Sequence, residues 1–430
     1  MSSEVIVKIG MLGMGTVGGG AAAIIERSGE LLAGKTGIKL ALERVLVRDP
    51  ARSRAVELPS QTYTTAPDAV INDPSIDIVV ELMGGIEPAR TLISAALQAN
   101  KAVVTANKDL LARHGRELQQ LAHRCGQNIY YEASVGGGIP LIRPLKHCLV
   151  ANRIERMIGI INGTTNYILT RMALERMDFQ EALDKARELG FAEADPSSDL
   201  EGRDAAYKLT ILAGIAFNCS LGPDDFSVQG ISGVTGADIH YASELGYTIK
   251  LLAVAEQKPA GLALGVHPAL VPLTHPLATV HDEFNAIFIN GDLIGEAMFY
   301  GRGAGALPTA SAVVADIIDA ARSLRNGASE RPPSDTPSKI KLLPPSALSS
   351  RFYVRLLARD RPGVFGALAS AFGGEGVSLD MIIQKRRTNG TAEIVLVTHD
   401  VNEERFNRSL ERVARLPAIG PERGVFRVLG

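Results

Sequence analysis

The sequence has no tryptophan and only three cysteines, Cys125, Cys148 and Cys219, among its 430 residues. Three widely spaced cysteines form neither a disulfide framework nor a clustered metal site, so we expect reduced thiols and a cytoplasmic protein. Long apolar runs are also missing, because no stretch approaches the roughly 20 residues that a membrane-spanning helix needs. The first residues lack the basic region of a secretory signal, and no association with a membrane is expected.

Neither sign of charge is in excess. Lys and Arg together number 45 and Asp and Glu 47, which gives a net charge of −2. This near-balance argues against a nucleic-acid partner, whose binding face would raise the basic total. The eight histidines follow no pattern typical of a metal site or a catalytic triad, and we interpret His267, His275 and His281 as loop residues. At roughly 150 residues per domain, the length predicts about three domains.

The first 135 residues alternate short apolar runs with helical stretches. The predicted strands span residues 5–12, 40–47, 77–82, 102–106 and 128–133. Strands separated by helices of this length require right-handed crossovers between parallel neighbours. The pattern therefore predicts an α/β domain with a doubly wound parallel sheet.

A glycine turn, Gly13-Met-Gly15-Thr16-Val17-Gly18, follows the first predicted strand and opens a helix. The first glycine permits the tight turn, the second lets the backbone approach a pyrophosphate, and the third lets the helix pack closely on the strand. The amino terminus of the helix then faces the anion. The turn therefore predicts a site for NAD or NADP, and a purely structural turn is the alternative.

Two charged residues end the second predicted strand, Arg48 and Asp49. An arginine at this position can pair with the 2′-phosphate of NADP, whereas an acid would bind the ribose hydroxyls of NAD. Because Arg48 comes first, the order favours NADP. A solvated arginine is the alternative, and Asp49 leaves the use of NAD open.

The remaining chain divides by its composition. Residues 136–306 mix strands and long helices, which is typical of an α+β unit, and an amphipathic helix over 307–325 is expected to pack back on the first domain. Residues 326–349 hold five prolines among polar residues and are predicted to form a linker or extended segment. Residues 350–430 contain strands and helices of their own.

Six further motifs occur along the chain. They are Thr105-Ala-Asn107-Lys108, Glu132-Ala-Ser-Val135-Gly-Gly137-Gly-Ile139-Pro140, Ile161-Asn-Gly163-Thr-Thr-Asn166-Tyr167, Gly190-Phe-Ala-Glu193-Ala-Asp-Pro196, Asp199-Leu-Glu-Gly202-Arg-Asp204-Ala-Ala-Tyr-Lys208-Leu and Gly301-Arg-Gly-Ala-Gly305-Ala-Leu-Pro308-Thr309. With the glycine turn, residues 5 to 325 closely resemble homoserine dehydrogenase. Asp360-Arg-Pro362-Gly363-Val364 resembles the start of an ACT domain, a small amino-acid-sensing module.

The resemblance implies a division into domains. A Rossmann dinucleotide-binding domain would span residues 1–135 with the helix 307–325, and a substrate-binding and dimerisation domain residues 136–306. After the linker at 326–349, a βαββαβ ACT regulatory domain would span 350–430. Because no aspartate kinase segment precedes the first domain, we expect a monofunctional enzyme.

Lys208 is the only charged residue in the apolar helix predicted over residues 205–217, so we expect it to be buried. Burial disfavours the charged form of an amine, so this lysine could take and return the proton of an alcohol that is being oxidised. Asp204 lies one helical turn earlier, and an ordinary salt bridge is the alternative. The resemblance implies that Lys208 is the proton donor and acceptor and that Lys108 touches both cofactor and substrate. An exposed loop lysine is the alternative for Lys108.

The resemblance also assigns the other site residues. It implies that Glu193 and Asp204 hold the ammonium group of the substrate, and we interpret Asp195 and Asp199 as surface or capping acids. Glu132 and the carbonyls of three residues would hold a monovalent cation, sodium being the expected one. Those three are Val135, Gly137 and Ile139. Two glycines would lie beside the cofactor, Gly190 and Gly305.

The resemblance implies NAD(P)-dependent interconversion of L-homoserine and L-aspartate 4-semialdehyde, which serves threonine, methionine and isoleucine synthesis. The ACT-like tail implies feedback by threonine and a homodimer or homotetramer, and a tail that only supports assembly is the alternative. Two other functions stay open. One is a non-catalytic sensor of a nucleotide and an amino acid. The other is an ACT-bearing hydroxy-acid dehydrogenase, which would be expected to use a histidine base.

Overall fold

The computed structural model describes residues 5–54, 56–326, 340–386 and 390–430. These residues form two compact units. The first comprises the described residues within Met1–Arg153, Tyr207–Pro223 and Phe299–Lys339, and the second those within Ile154–Ala206, Asp224–Met298 and Ile340–Gly430. In the described ranges, every helix is too short or too polar to cross a membrane.

The first unit begins with alternating strands and helices. They are β1 (Val5–Leu12), α1 (Thr16–Thr36), β2 (Ile38–Leu46), β3 (Tyr63–Thr64), α2 (Asp68–Ile71), β4 (Ile78–Glu81), α3 (Ala89–Gln98), β5 (Ala102–Thr105), α4 (Lys108–Arg124) and β6 (Ile129–Tyr130). The strands form a parallel sheet in the order β3-β2-β1-β4-β5-β6. The order reverses between β1 and β4, as in doubly wound nucleotide-binding sheets. The predicted parallel sheet is therefore confirmed.

The next stretch supplies most of the second unit. Its elements are β7 (Ile154–Ile160), α5 (Gly163–Leu174), α6 (Phe179–Glu188), α7 (Ser197–Leu200), α8 (Arg203–Ala216), β8 (Ser227–Val228), α9 (Gly236–Glu244), β9 (Tyr247–Lys258), β10 (Gly261–Pro272), β11 (Phe284–Gly291) and β12 (Gly295–Arg302). The larger strands follow the order β12-β11-β7-β9-β10. The boundary between the units falls within α8 and again within β12.

Helix α10 (Ala306–Asn326) returns to the first unit, close to the predicted span 307–325. Its apolar face, which includes Val313 and Ile317, packs in one buried cluster with Ile9 and Val80 of the sheet. A side chain cannot be added at Gly20 of α1 without a shift, because a Cβ there would lie 2.9 Å from the carbonyl oxygen of Ala306. The domain with the parallel sheet is therefore assembled from segments that are distant in sequence.

The carboxyl-terminal residues form a βαββαβ module with one additional short strand. Its elements are β13 (Ser349–Arg359), α11 (Val364–Gly373), β14 (Leu379–Arg386), β15 (Thr391–Thr398), β16 (Val401–Asn402), α12 (Glu403–Ala414) and β17 (Ile419–Val428). Neighbouring strands in the order β17-β13-β15-β14 are antiparallel. The last strand also pairs with β10, through Ala269 with Arg427 and Leu270 with Val428, so this module continues the sheet of the second unit.

One prediction about a histidine is wrong. His267 lies within β10 rather than in a loop, and burial lowers its pKa well below the usual value. The loop was expected because the segment is rich in proline, but Pro268 lies in the strand and pairs with Leu251 of β9. His275 and His281 do lie outside the strands, as expected.

The predicted linker is described only in part, since residues 327–339 lie outside the described ranges. Beyond them the chain is extended along β10. The backbone N–H of Leu262 donates to the carbonyl of Lys341 at 2.9 Å, and that of Leu343 donates to the carbonyl of Leu262 at 2.9 Å. All three cysteines are free thiols, and burial raises the pKa of Cys219 to about 11.

Candidate active site

The glycine turn after β1 has the geometry of a phosphate cradle. Gly13 has φ of +96°, and a Cβ added at Gly18 would lie 2.5 Å from the carbonyl oxygen of Gly13. By contrast, apart from the residues next to it in the chain, no described residue has an atom within 4 Å of the Cβ position of Gly15. Gly15 is the N-cap of α1 and offers no side chain to the N–H groups of Thr16 and Val17. These donors and the positive end of the helix dipole suit an anion, so the turn fits the pyrophosphate of a dinucleotide.

Arg48 is exposed just beyond the carboxyl end of β2. The glycine turn is tied to the same strand, because the N–H of Gly13 donates to the carbonyl of Leu46 at 3.1 Å. Asp49 accepts a hydrogen bond from the N–H of Ala51 at 2.9 Å and so stabilises its own turn. This end of the second strand is where such folds bind the ribose of the cofactor.

Glu81 is the last residue of β4 and is fully buried. It is not among the site residues predicted from the sequence. Its carboxylate accepts hydrogen bonds from the Thr105 hydroxyl at 2.7 Å and from the N–H groups of Met83 at 2.8 Å and Gly84 at 3.1 Å. An acid inside the apolar run 78–82 was the signal that could have revealed it. The carboxylate joins the ends of β4 and β5 at the sheet edge where cofactor clefts open.

Lys108 follows this edge as the first residue of α4 and is half-buried. The side chain of Asn107 caps the helix, accepting from the N–H of Leu110 at 3.1 Å and donating to the carbonyl of Gly85 at 2.7 Å. The start of α4, and with it Lys108, is therefore fixed to the loop that follows β4.

In the second unit, Asp204 lies at the start of α8 and is 6% exposed. The side chain of Asn162 donates to Asp204 Oδ2 at 2.9 Å and to Asp199 Oδ1 at 2.7 Å. The Thr164 hydroxyl lies 3.1 Å from Asp199 Oδ2 and 2.7 Å from the carbonyl oxygen of Phe191, and its single proton serves these two acceptors. Asp199 is thus half-buried in a hydrogen-bond network rather than a surface acid. Asp195 does cap a turn, and its hydrogen bonds with Ser197 lower the pKa of its carboxyl group.

The other predicted residues of this region are more exposed. Glu193 is exposed between α6 and α7, in contrast to the buried Asp204. Gly190 has φ of +76° and closes the end of α6 through a hydrogen bond to the carbonyl of Arg187. The left-handed backbone explains the glycine there without reference to a ligand.

Lys208 lies one turn after Asp204 on α8 and is 9% exposed. Leu209 and Leu212 of the same helix are buried beside it in sequence. Residues four apart share one face of a helix, so α8 presents a carboxylate and then an amine along that face. The expectation that Lys208 is buried is therefore met.

Glu132 lies in a short 3₁₀ turn after β6 and is 3% exposed. Its carboxylate accepts hydrogen bonds from the N–H groups of Leu141, Ile142 and Arg143, with two on Oε1 and one on Oε2. Since a carboxylate has about four acceptor directions, one on Oε2 remains. Glu132 therefore has one acceptor direction left for a further donor or for a cation.

The glycines after Glu132 let two loops of the first unit approach closely. A Cβ at Gly137 would lie 2.6 Å from the carbonyl oxygen of Gly303, and Gly136 and Gly137 have φ of +74° and +55°. Gly305 has φ of +124° and accepts from the N–H of Thr309 at 3.1 Å in the first turn of α10. Val135 and Ile139 are buried in the same loop. Among described residues, no cluster of three or more His, Cys, Asp or Glu is placed to hold a metal.

The nucleotide cradle and the buried amine of α8 belong to a dinucleotide-dependent dehydrogenase that carries a C-terminal βαββαβ module. Family models agree: residues 13–132 match the homoserine dehydrogenase NAD-binding domain, 140–318 match homoserine dehydrogenase and 352–418 match the ACT domain. The chain belongs to the homoserine dehydrogenase family, whose members are NAD(P)-dependent oxidoreductases.

Individual relatives match over nearly the whole chain. The homoserine dehydrogenase of Synechocystis sp. is 46% identical, over 98% of this chain and 99% of that protein. The crystal structure of a homoserine dehydrogenase from Thiobacillus denitrificans has a TM-score of 0.93 and 40% identity, over 99% of this chain and 98% of that one. A hyperthermophilic archaeal homoserine dehydrogenase in complex with NADPH has a TM-score of 0.62 and 27% identity, over 74% of this chain and 98% of that one.

Proposed function

We propose that the protein interconverts L-homoserine and L-aspartate 4-semialdehyde in threonine, methionine and isoleucine synthesis. The relatives that match nearly the whole chain support the substrate. The observation that carries the chemistry is the buried pair of Asp204 and Lys208, one turn apart on α8. A bound NADP or NAD would supply the hydride-transfer chemistry needed at the terminal carbon of homoserine.

The residues divide the work by their chemistry. Lys208 takes the hydroxyl proton as the alcohol is oxidised and returns it in the reverse direction. Lys108, at the start of α4, supplies a positive charge toward the substrate oxygen. Glu193 and Asp204 hold the ammonium group through charge-assisted hydrogen bonds, which fix the end of the substrate that does not react.

The cofactor site consists of the cradle formed by Gly13, Gly15 and Gly18 with Thr16 and Val17, together with Arg48, Lys108, Gly190 and Gly305. The exposed guanidinium of Arg48 favours NADP, and the NADPH complex of the archaeal relative supports this preference. A monovalent cation, sodium, would be held by Glu132 and the carbonyls of Val135, Gly137 and Ile139. The acceptor direction left on Glu132 supports that part of the proposal.

The C-terminal module is proposed to bind threonine and to inhibit the enzyme, in a homodimer or homotetramer. Gly363 is the N-cap of α11, with φ of +89° and no side-chain cap, so the N–H groups of that helix can receive a carboxylate. A buried ion pair joins the module to the rest of the second unit, since Arg355 of β13 donates to Asp238 of α9 at 2.7 Å. Binding at the module can alter the site only if threonine prefers one arrangement of these parts.

Steady-state kinetics with Lys208→Ala tests the catalytic assignment. The variant should bind NADPH as the wild type does, measured by fluorescence titration, and lose turnover of homoserine by roughly 10²- to 10⁴-fold. Lys185→Ala is the matched control, because Lys185 is a partly exposed lysine of α6 that pairs with Glu175 and takes no part in the proposed site. Near-normal turnover of homoserine by Lys208→Ala would refute the assignment. A separate measurement, the wild-type rate with NADP and with NAD, gives the cofactor preference.

Gly363→Val tests the effector site in the full-length chain. A β-branched side chain is strained at φ of +89°, so inhibition by threonine should weaken while the rate without threonine stays at the wild-type level. Calorimetry should show a parallel loss of threonine binding. Unchanged inhibition would contradict this placement of the effector.

A further inference from the structure

One side chain of the second unit holds two carboxylates at once. Asn162 is 5% exposed, and its single amide nitrogen donates to Asp204 Oδ2 at 2.9 Å and to Asp199 Oδ1 at 2.7 Å. Both N–H bonds of the amide are therefore used on carboxylates. Hydrogen bonds to charged groups are stronger than those between neutral groups, so the contacts constrain both acids.

The opposite end of the amide fixes its direction. Asn162 Oδ1 accepts from the N–H of Thr165 at 2.9 Å and from the Thr165 hydroxyl at 2.8 Å, which caps α5. Rotating the amide by 180° would place its oxygen against two carboxylates and its nitrogen against the donor N–H of Thr165. The hydrogen-bond network thus selects one orientation.

The turn that carries Asn162 is itself anchored. A Cβ added at Gly163 would lie 2.8 Å from the carbonyl oxygen of Glu283, so the backbone passes close to the start of β11. One turn further along α5, the amide of Asn166 donates to the carbonyls of Asp282 at 2.9 Å and Phe284 at 3.1 Å. The close approach at Gly163 and the hydrogen bonds of Asn166 therefore fix the start of α5, which carries the amide of Asn162.

We propose that Asn162 is a positioning residue for the substrate amine. By donating to Asp204 and Asp199, it sets the direction in which the Asp204 carboxylate receives the ammonium group. Asn162 acts through Asp204 and need not touch the substrate. This inference rests on the proposed function, in which Asp204 binds that group.

Asn162→Asp separates positioning from helix capping. Aspartate caps a helix about as well as asparagine, so the contact with Thr165 survives. The two donors, however, are replaced by an oxygen that faces two carboxylates. Asn162→Ala removes both functions, and Thr165→Val is the matched control, because it removes a hydroxyl that contacts Asn162 without contacting either acid.

We expect Asn162→Asp to raise the KM for homoserine and lower kcat/KM by about 10- to 100-fold at pH 8, the loss expected for hydrogen bonds to charged groups. The KM for NADP should not change. Relative to the wild type at each pH, the variant should recover toward pH 6, because protonation of the introduced carboxylate restores a donor. Asn162→Ala should show a similar loss without this recovery, and Thr165→Val should stay within about twofold of the wild type.

A wild-type-like Asn162→Asp at every pH would overturn the inference, since capping would then be the only role of the amide. A loss that is the same at every pH, or that Thr165→Val shares together with a lower melting temperature, would also overturn it. Absence of homoserine turnover in the wild type would instead overturn the proposed function and the inference with it. The wild-type rate therefore distinguishes the two failures.

Discussion

Replacing Lys250 by methionine should change how the stability of the second unit depends on pH. Lys250 lies in β9 and is 1% exposed. Its ammonium group donates to Asn166 Oδ1 at 3.0 Å and to the carbonyl of Val280. Burial lowers its pKa from 10.5 to about 8, and the charge of Asp282 offsets this only in part.

The sign follows from which state binds the proton. Between pH 8 and 10.5 the unfolded chain still carries a proton on Lys250 that the folded chain has lost, so the free energy of unfolding rises with pH. For this lowering of the Lys250 pKa, the free energy of unfolding increases by roughly 2 to 3 kcal/mol between about pH 7 and pH 10. Methionine has no proton to lose, so the free energy of unfolding of the variant should not show this rise. Relative to the wild type, it should become lower by that amount over the same pH range.

At pH 7 the difference between the two proteins should be small. The variant loses two hydrogen bonds, each worth about 1 kcal/mol, but it no longer buries a charge. Urea unfolding of the full chain at pH 7, 8, 9 and 10, followed by circular dichroism, measures the difference at each pH. Lys258→Met, at the solvent-exposed end of the same strand, is the control and should show a constant difference. A constant difference for Lys250→Met would refute the reasoning.

Three further variants test the packing of the glycine turn and the buried ion pair. Gly18→Ala should destabilise by about 1–3 kcal/mol and weaken NADPH binding, because its Cβ would meet Gly13 O at 2.5 Å. At Gly19 a Cβ would meet no described atom within 4 Å beyond its chain neighbours and the backbone of its own helix, so Gly19→Ala should stabilise α1 by about 0.5–1 kcal/mol. Equal melting temperatures for Gly18→Ala and Gly19→Ala would contradict this account. Arg355→Ala should cost about 3–5 kcal/mol in urea unfolding, because it removes the cation beside two buried carboxylates, Asp238 and Glu393. A loss below about 1 kcal/mol would contradict that role.

The features that the sequence predicted well are local. The strand over residues 5–12 has the predicted bounds, and the reasons given for Gly13 and Gly18 match the close contacts found there. Whether the chain forms a turn, a helix start or a short strand here depends on residues within about ten positions of each other. Such features can therefore be predicted from the sequence without knowledge of the tertiary structure.

The features that the sequence did not predict depend on distant pairing. Strand β9 reads Tyr-Thr-Ile-Lys-Leu-Leu-Ala-Val-Ala-Glu-Gln-Lys, a composition that suits a helix as well as a strand, and its 12-residue pairing with β10 decides the outcome. Asn162 and Asp204 are 42 residues apart, and Arg355 and Asp238 are 117 apart. No local pattern marks such a contact, so Asn162 was visible only as part of a motif.

The carboxyl-terminal module cannot be removed without opening the sheet of the second unit. β17 pairs with β10, and the N–H of Leu429 donates to the carbonyl of Leu270 at 2.8 Å. Leu429 is buried in one cluster with Leu252 and Val271. A chain that ends before β13 would expose this edge and this apolar surface, which favours association between chains. If a truncated chain lost threonine inhibition, the cause could be either the missing effector site or the disrupted sheet of the second unit. Gly363→Val should leave the β10–β17 pairing in place, so this variant distinguishes the two causes.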